Sequence, residues 1–520
     1  MRIIIYDTTL RDGTQREGLS LLAEDKLKVA KKLDSFGLDY IEGGWPGSNP
    51  KDREFFALAK DWQPKNAILT AFGSTRKKDI RPEEDVNLRA ILESGVKAAA
   101  IFGKSWVFHV KEALNTTEEE NLNMIGDSVA YLKEKGLEVH FLAEHFFDGY
   151  KANRDYALAS LKRAFEAGAN SLVLCDTNGG SLPDFIYNSI KQVLDFLPDT
   201  LLGIHAHNDS DLAVANSLIA VEAGAKMIQG TINGYGERCG NANLCSIIPN
   251  LKLKKGYDLL KEDSLKKLAE VSHYVSEVAN LIPNDWQPFV GKAAFAHKGG
   301  IHVSALRKNP ETYEHIDPVT VGNKRRVLVS ELSGIANLSY KAEEYGINAE
   351  KEEFSPLLDT VKSLEYKGYS FEGAEASFEL LLKRSLGLVP NFFELKGFRM
   401  IIEKNGSGDP LAEASIKVSV ADKILHTVAE GDGPVDALDK ALRLALKDVY
   451  PEVEKISLSD YKVRVLDPRS ATAAVVRVLI ESSGFGMSWG TVGVSQNIIE
   501  ASWRALSDSI IYGLYKAREI

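Results

Sequence analysis

Lys135-Gly136-Leu137-Glu138-Val139-His140-Phe141-Leu142-Ala143-Glu144-His145 contains the unit from which the first half of this chain is built. A glycine closes a helix, an apolar strand follows at once, and the strand runs out into ionisable side chains. Glycine suits that joint because the position after a helix's last turn commonly needs a left-handed backbone. The joint recurs at Gly37 before 38–41, Gly95 before 96–102, Gly168 before 169–175 and Gly224 before 225–229. Apolar strands near 2–6, 66–72 and 201–206, with a last helix near 243–254, complete eight strand–helix pairs. Eight such pairs in about 250 residues predict an α/β fold opening with a TIM (β/α)8 barrel. An open doubly wound sheet is the runner-up, disfavoured because no midway break is visible.

In such a barrel functional side chains gather just past the strands' C-terminal ends. Strand 1 exits through Asp7-Thr8-Thr9-Leu10-Arg11-Asp12-Gly13, and strand 2 ends near Glu42. Strand 5 ends in Glu144-His145, strand 6 in Asp176-Thr177-Asn178, and strand 7 in His205-Ala206-His207-Asn208-Asp209. Strand 8 leads into Gly234-Tyr235-Gly236-Glu237-Arg238-Cys239-Gly240-Asn241. The opposite loops, at 135–136 and 167–168, are short and carry no such chemistry.

His205 and His207 are two apart on a strand, so both imidazoles project to one face. A lone strand histidine is usually a satisfied core or surface residue; this pair at a barrel mouth favours a metal. Asp12, from the neighbouring strand 1, supplies the carboxylate, and Asn241 offers a further oxygen. Two histidines and one carboxylate leave positions open for substrate, as in a Lewis-acid site. Such ligands admit Zn²⁺, Mn²⁺, Co²⁺ or Mg²⁺. Arg11 is a fixed positive charge placed where an oxyanion would develop. Glu144 ends an apolar run, so desolvation is expected to raise its pKa into a proton-transfer range; a plain surface carboxylate is the alternative. The glycine-rich 234–240 segment is off by one from a dinucleotide loop and closes a barrel, which weakens a nucleotide reading.

The totals set limits. A chain of 520 residues should form about three domains. A formal net charge of -10 argues against nucleic acid as a partner. No apolar run reaches the roughly 20 residues of a membrane span, and no secretory signal is visible. Cys175, Cys239 and Cys245 form no disulfide framework or CxxC pattern, which suits a cytoplasmic location. We place the barrel at 1–288, with a helical pattern from about 256 to 290 closed by Pro283-Asn284-Asp285, and a helical connector at 289–392. Alternating strands at 398–403, 414–420 and 423–429 with a helix at 435–449, then strands at 461–466, 473–480 and 489–494 with a helix at 498–515, form an α+β domain at 393–520. That domain has two βββα halves. The loop Gly484-Phe485-Gly486-Met487-Ser488-Trp489-Gly490 is either a hairpin or part of an effector pocket.

Asp7 to Gly13, His205-x-His207, Gly236-Glu237-Arg238-x-Gly240-Asn241 and Gly300-Ile301-His302, in that order, resemble the Claisen-condensing acyltransferases of the DRE-TIM metallolyase group. These are the 2-isopropylmalate, homocitrate and citramalate synthases. The resemblance covers nearly the whole chain, since 393–520 looks like the amino-acid-binding regulatory domain of that group. It implies that Asp12, His205 and His207 hold the divalent metal with Asn241 assisting, and that a 2-oxo acid chelates it. Arg11 would stabilise charge on the keto oxygen, and Thr177 would help hold the carboxylate. Glu144 and His302 would serve the acid–base work on acetyl-CoA, His302 reaching the partner subunit's site in a homodimer, with Tyr313 near acetyl-CoA. Glu42, Phe102 and Leu142 join Thr177 as expected substrate-binding residues.

Gly43-Gly44-Trp45-Pro46-Gly47-Ser48-Asn49-Pro50 and the run from Ala296 to Ala305 look most like one citramalate synthase subgroup. His302-Val303-Ser304 departs from the His-Gln-Asp common in isopropylmalate synthases. Phe72, Phe102 and Leu142, near the ends of strands 3, 4 and 5, would shrink the pocket to a methyl by overpacking; plain barrel packing is the alternative. The expected reaction joins acetyl-CoA to pyruvate, giving (R)-citramalate and CoA for isoleucine biosynthesis, with isoleucine as effector. The alternatives are a 2-isopropylmalate synthase acting on 2-oxoisovalerate for leucine, or a non-catalytic amino-acid sensor.

Overall fold

Alternation decides what each barrel strand buries. Ile5, Val139, Phe141, Leu172, Leu174, Ile204 and Ile228 belong to the main apolar core. Their strand neighbours Tyr6, Leu142, Val173 and Met227 belong to a separate small cluster inside the barrel, with Phe72, Ala100 and Cys175. In the computed structural model, which describes residues 1–330, 333–347, 353–404, 406, 408–466 and 474–519, the strands close into a barrel in sequence order. They are β1 (Ile4–Asp7), β2 (Tyr40–Gly44), β3 (Ile68–Ser74), β4 (Ala98–Lys104), β5 (Glu138–Glu144), β6 (Ser171–Asp176), β7 (Leu202–Ala206) and β8 (Met227–Gly230). Closure runs through parallel pairing of β1 with β8, from Ile4 opposite Met227 to Asp7 opposite Gly230. A closed barrel excludes the open doubly wound sheet. Gly37, Gly95, Gly136, Gly168 and Gly224 all have positive φ, as their joints require.

The eighth unit ends in the helix Leu244–Pro249, which continues as a π-helical turn over Asn250–Lys254. The helical run expected from 256 to 290 is shorter. A 3₁₀ turn at Glu262–Lys267 leads into the helix Leu268–Val278, which stops where Asn280 turns left-handed at φ 54° and Pro283 follows.

The chain divides into two compact units, 1–295 with 316–324, and 296–315 with 325–520. In the second, Ala296–His297 pairs in parallel with Arg326–Val327, and helices follow at Gly300–Leu306, Ile335–Glu344, Phe354–Tyr366 and Glu375–Ser385. Two antiparallel three-stranded sheets come next, each followed by a helix. They are Glu394–Glu403, Leu411–Val420 and Lys423–Gly431 with helix Pro434–Leu446, then Ser457–Val465, Val476–Gly484 and Met487–Ser495 with helix Ile498–Ala517. The βββα pair is therefore as expected, although Ala473, placed by the sequence in a strand, lies outside the described residues. Phe485 and Gly486, at φ 54° and 77°, make a two-residue hairpin turn, so this loop is a strand connection. Among the described residues no helix is long and apolar enough to cross a membrane.

His140 sits inside the barrel, fully buried, with Tyr6 and Tyr40 edge-on to its ring and Nδ1 2.8 Å from Ser171 Oγ. Burial pushes its pKa down to about 4, so the folded chain keeps it neutral where the unfolded chain would protonate it. Its contribution to stability is complete above about pH 6.5 and is lost as pH falls towards 4, by up to about 3 kcal/mol. Thermal midpoints measured between pH 4 and 7 should fall less steeply with acid in His140→Gln than in the parent chain.

Candidate active site

The loop leaving β1 is wound around a single carbonyl. The backbone N–H groups of Arg11, Asp12 and Gly13 all donate to Thr8 O, at 3.2, 2.9 and 3.1 Å. Asp7 fastens this turn to β8: its carboxylate accepts from Thr9 N at 2.9 Å and Thr9 Oγ1 at 2.8 Å, and Thr9 Oγ1 in turn accepts from Ile232 N at 2.8 Å. Burial pushes the Asp7 carboxyl up to about 7, against the pull of the Thr9 hydrogen bonds. Asp7, which has no role in the sequence reading, is the buckle that sets the direction of Arg11 and Asp12.

Asp12, His205 and His207 come together as expected, all buried, with ligand atoms within 4.8 Å of one another. Asp12 Oδ2 lies 3.1 Å from His205 Nε2 and 3.7 Å from His207 Nε2, and the two Nε2 atoms are 3.3 Å apart. Burial alone would raise the Asp12 carboxyl; Arg11 and both imidazoles outweigh it and hold the group well below the usual carboxylate range. His207 is pushed down to about 3 by burial and by His205. His205 Nδ1 stands 2.9 Å from Gln229 Oε1, and a proton on Nδ1 shared with that oxygen would turn the Nε2 lone pair towards Asp12. Lone pairs from two imidazoles and a carboxylate thus converge on one buried point, a donor set that fits a divalent cation.

Asn241 completes the ring. Its Nδ2 is 2.9 Å from Asp12 Oδ2 and 3.3 Å from His205 Nε2, while its buried Oδ1 has no hydrogen-bond partner among the described residues. Amide orientation is an assignment, and a half-turn would face Oδ1 towards the same point and end that orphaning. Gly236 makes room for it, since a Cβ there would sit 1.8 Å from Asn241 Oδ1.

Arg11 is clamped from three sides. Its Nε donates to Glu42 Oε1 at 2.6 Å, Nη1 lies 3.3 Å from Asp12 Oδ1, and the guanidinium lies 3.9 Å from the centre of the Phe72 ring. Glu42 accepts from Tyr6 OH at 2.7 Å on its other oxygen. Expected to touch substrate, Glu42 stands fully buried behind Arg11 with both oxygens engaged.

Glu144, expected as a desolvated carboxyl or a plain surface carboxylate, is partly exposed and paired. Lys104, directly opposite it in the β4–β5 register, forms an ion pair with it, and about 24% of the Glu144 side chain is exposed. One step inward Phe102 lies opposite Leu142, and Phe102 stacks on Phe72 at 5.5 Å. Thr177 Oγ1 accepts from His145 N at 2.8 Å, leaving the Thr177 hydroxyl proton to donate. Cys175, at the end of β6, feels the charges of Arg11, Asp12, Glu42 and Glu144, so these groups share one electrostatic region. His302 and Tyr313 are brought together in the second compact unit, rings stacked at 4.1 Å with both side chains exposed.

Models of three families match consecutive stretches of the chain: HMGL-like over 2–275, homocitrate synthase post-HMGL domain-like over 289–368, and the LeuA allosteric (dimerisation) domain over 372–514. The (R)-citramalate synthase of Aquifex aeolicus (strain VF5) is 53% identical, covering 100% of this chain and 99% of its own. That of Geobacter sulfurreducens is 55% identical over 99% of this chain and 98% of its own. The chain belongs to the citramalate synthase family. A 2-isopropylmalate synthase of Methanocaldococcus jannaschii is more distant, 32% identical over 98% of this chain and 94% of its own.

In this member of the family, Lys104, Gln229 and Tyr6 support the site without having been found in the sequence. Lys104 is a charge at a strand's C-terminal end, the position that flagged its neighbours on other strands. Gln229 is the one polar side chain in Met227-Ile228-Gln229-Gly230, and its value depends on standing opposite His205. Metal binding tests the arrangement directly. Titration calorimetry with Mn²⁺ or Zn²⁺ should show at least about 100-fold weaker binding for Asp12→Asn and about 10- to 100-fold weaker binding for Gln229→Ala. Unchanged affinity in Asp12→Asn would remove Asp12 from the ligand set.

Proposed function

We propose that the chain condenses acetyl-CoA with pyruvate and hydrolyses the resulting thioester to give (R)-citramalate and CoA. The observation that carries this reading is the stacked Phe72–Phe102 pair with Leu142 opposite Phe102, bulky apolar groups next to Arg11 that favour a small side chain on the 2-oxo acid. The (R)-citramalate synthases at 53% and 55% identity support the same choice over 2-oxoisovalerate.

Asp12, His205 and His207, with Asn241, would hold a divalent ion, which when bound supplies a Lewis acid for the keto carbonyl. Thr177 donates its hydroxyl proton to the substrate carboxylate. Arg11, fixed by Glu42 and Phe72, meets the negative charge that grows on the keto oxygen as the new carbon–carbon bond forms. Glu144, ion-paired with Lys104, takes the proton from the acetyl methyl. Water then attacks the thioester carbonyl and CoA leaves as the thiol, with His302 and Tyr313 of the partner subunit assisting. The enzyme acts as a homodimer in the cytoplasm, where the free thiols of Cys175, Cys239 and Cys245 suit reducing conditions. The 372–514 domain senses isoleucine.

Release of CoA, followed with a thiol reagent, should be at least about 100-fold more efficient in kcat/KM with pyruvate than with 2-oxoisovalerate. The reverse preference would make the chain a 2-isopropylmalate synthase. Isoleucine should slow the pyruvate reaction more than leucine does; a response to leucine alone would reassign the effector.

A further inference from the structure

We propose that Trp45 is the residue that limits the size of the 2-oxo acid, standing as a partition between the aromatic wall of the barrel mouth and an open cavity on the rim; this rests on the functional reading above.

Trp45 follows β2 and is held at both ends. Its backbone N–H donates to Asp52 Oδ2 at 2.8 Å, and Asp52 is itself buried in an ion pair with Lys26. The preceding Gly44 has φ +149°, and a Cβ there would lie 2.4 Å from the Asp52 carboxyl carbon, so the chain can approach this anchor only as glycine. At the far end the indole Nε1–H donates to Asn87 Oδ1 at 2.6 Å, and Asn87 Nδ2 donates to Ser74 O, at the end of β3, at 2.7 Å. A side chain fixed by its backbone and by its ring tip cannot swing away to admit a larger substrate.

The ring has two surroundings. It meets Phe72 and Phe102 at near right angles, with centroids 5.4 and 5.7 Å apart, and so packs with the barrel's interior cluster. Trp45 also lines an open cavity of about 460 Å³, together with Arg11, Gln15, Ser48 and Lys51. That space is far larger than two extra methyl groups require. The stacked phenylalanines alone would be an adaptable wall; Trp45 pressing on both edges makes it a rigid one. Shortening Trp45 would connect the mouth to the cavity beside Arg11 without touching Asp12, His205 or His207.

Kinetics on the full-length, metal-loaded enzyme test this, with pyruvate, 2-oxobutanoate and 2-oxoisovalerate as substrates. Trp45→Ala should raise the ratio of kcat/KM for 2-oxoisovalerate to that for pyruvate by at least about 50-fold, and Trp45→Phe should gain chiefly on 2-oxobutanoate. Asn87→Ala, which frees the indole without changing the pocket's own side chains, should shift selectivity the same way by a smaller factor and keeps the proposal testable if Trp45→Ala fails to fold. Mn²⁺ affinity should match the parent in each variant. If the parent prefers pyruvate and folded variants keep its selectivity ratio, the partition is overturned alone. If the parent itself prefers 2-oxoisovalerate, the functional reading falls and the partition with it.

Discussion

A buried carboxylate beside two imidazoles and one guanidinium is the constraint on which this barrel mouth depends. Asp12 is 1% exposed, and removing its charge from water would be costly without compensation. Arg11 is the fixed cation in contact with it, yet Arg11 also serves Glu42. Asp12 and Glu42 share this one guanidinium, and burial keeps a proton off His207, so its lone pair stays available beside Asp12. The buried carboxylate and the two imidazoles beside it thus form a donor set suited to a divalent cation.

Precision at that point is supplied by parts of the fold remote in sequence. The pairing of β1 with β8 brings Asp7 and Thr9 against Ile232, and that buckle sets the Thr8 turn from which Arg11 and Asp12 project. The pairing of β7 with β8 places Gln229 opposite His205, within hydrogen-bond distance of its Nδ1. Gly236 leaves the space that Asn241 fills. Each device acts through a neighbouring strand or loop, so the site's geometry is as rigid as barrel closure itself.

This explains what was legible in the sequence. Glycine joints and strand ends are local features, and they were enough to count eight units and to place Asp12, His205 and His207 on one face. Facts that depend on register or direction were not readable. Glu144 was read from the apolar run before it, and Lys104, forty residues away in sequence, meets it across the β4–β5 ladder, which that run does not reveal. Glu42 looked like a substrate contact because its position at a strand end does not reveal that it points at Arg11 and Tyr6. The helix ending at Val278 was overextended because apolar spacing continues past the left-handed Asn280 that stops it. His302 and Tyr313 could be paired with the barrel only through family resemblance, since they fold into a different compact unit.

Selection of substrate and stabilisation of charge are joined here through one ring. Phe72 presents its face to the Arg11 guanidinium at 3.9 Å and its stack to Phe102, while Trp45 presses on both phenylalanines. A guanidinium over an aromatic face gains from the ring's quadrupole only while the two stay aligned. Any change that tilts Phe72 to enlarge the pocket also removes one of the three restraints on Arg11, leaving Glu42 and Asp12 to orient it. Phe102 and Trp45 both pack against Phe72, and it is the Phe72 ring that the Arg11 guanidinium lies over. Enlarging the pocket at Phe72 should therefore cost more rate than the same volume removed at Phe102 or Trp45, because only Phe72 belongs to both the wall and the oxyanion-stabilising group.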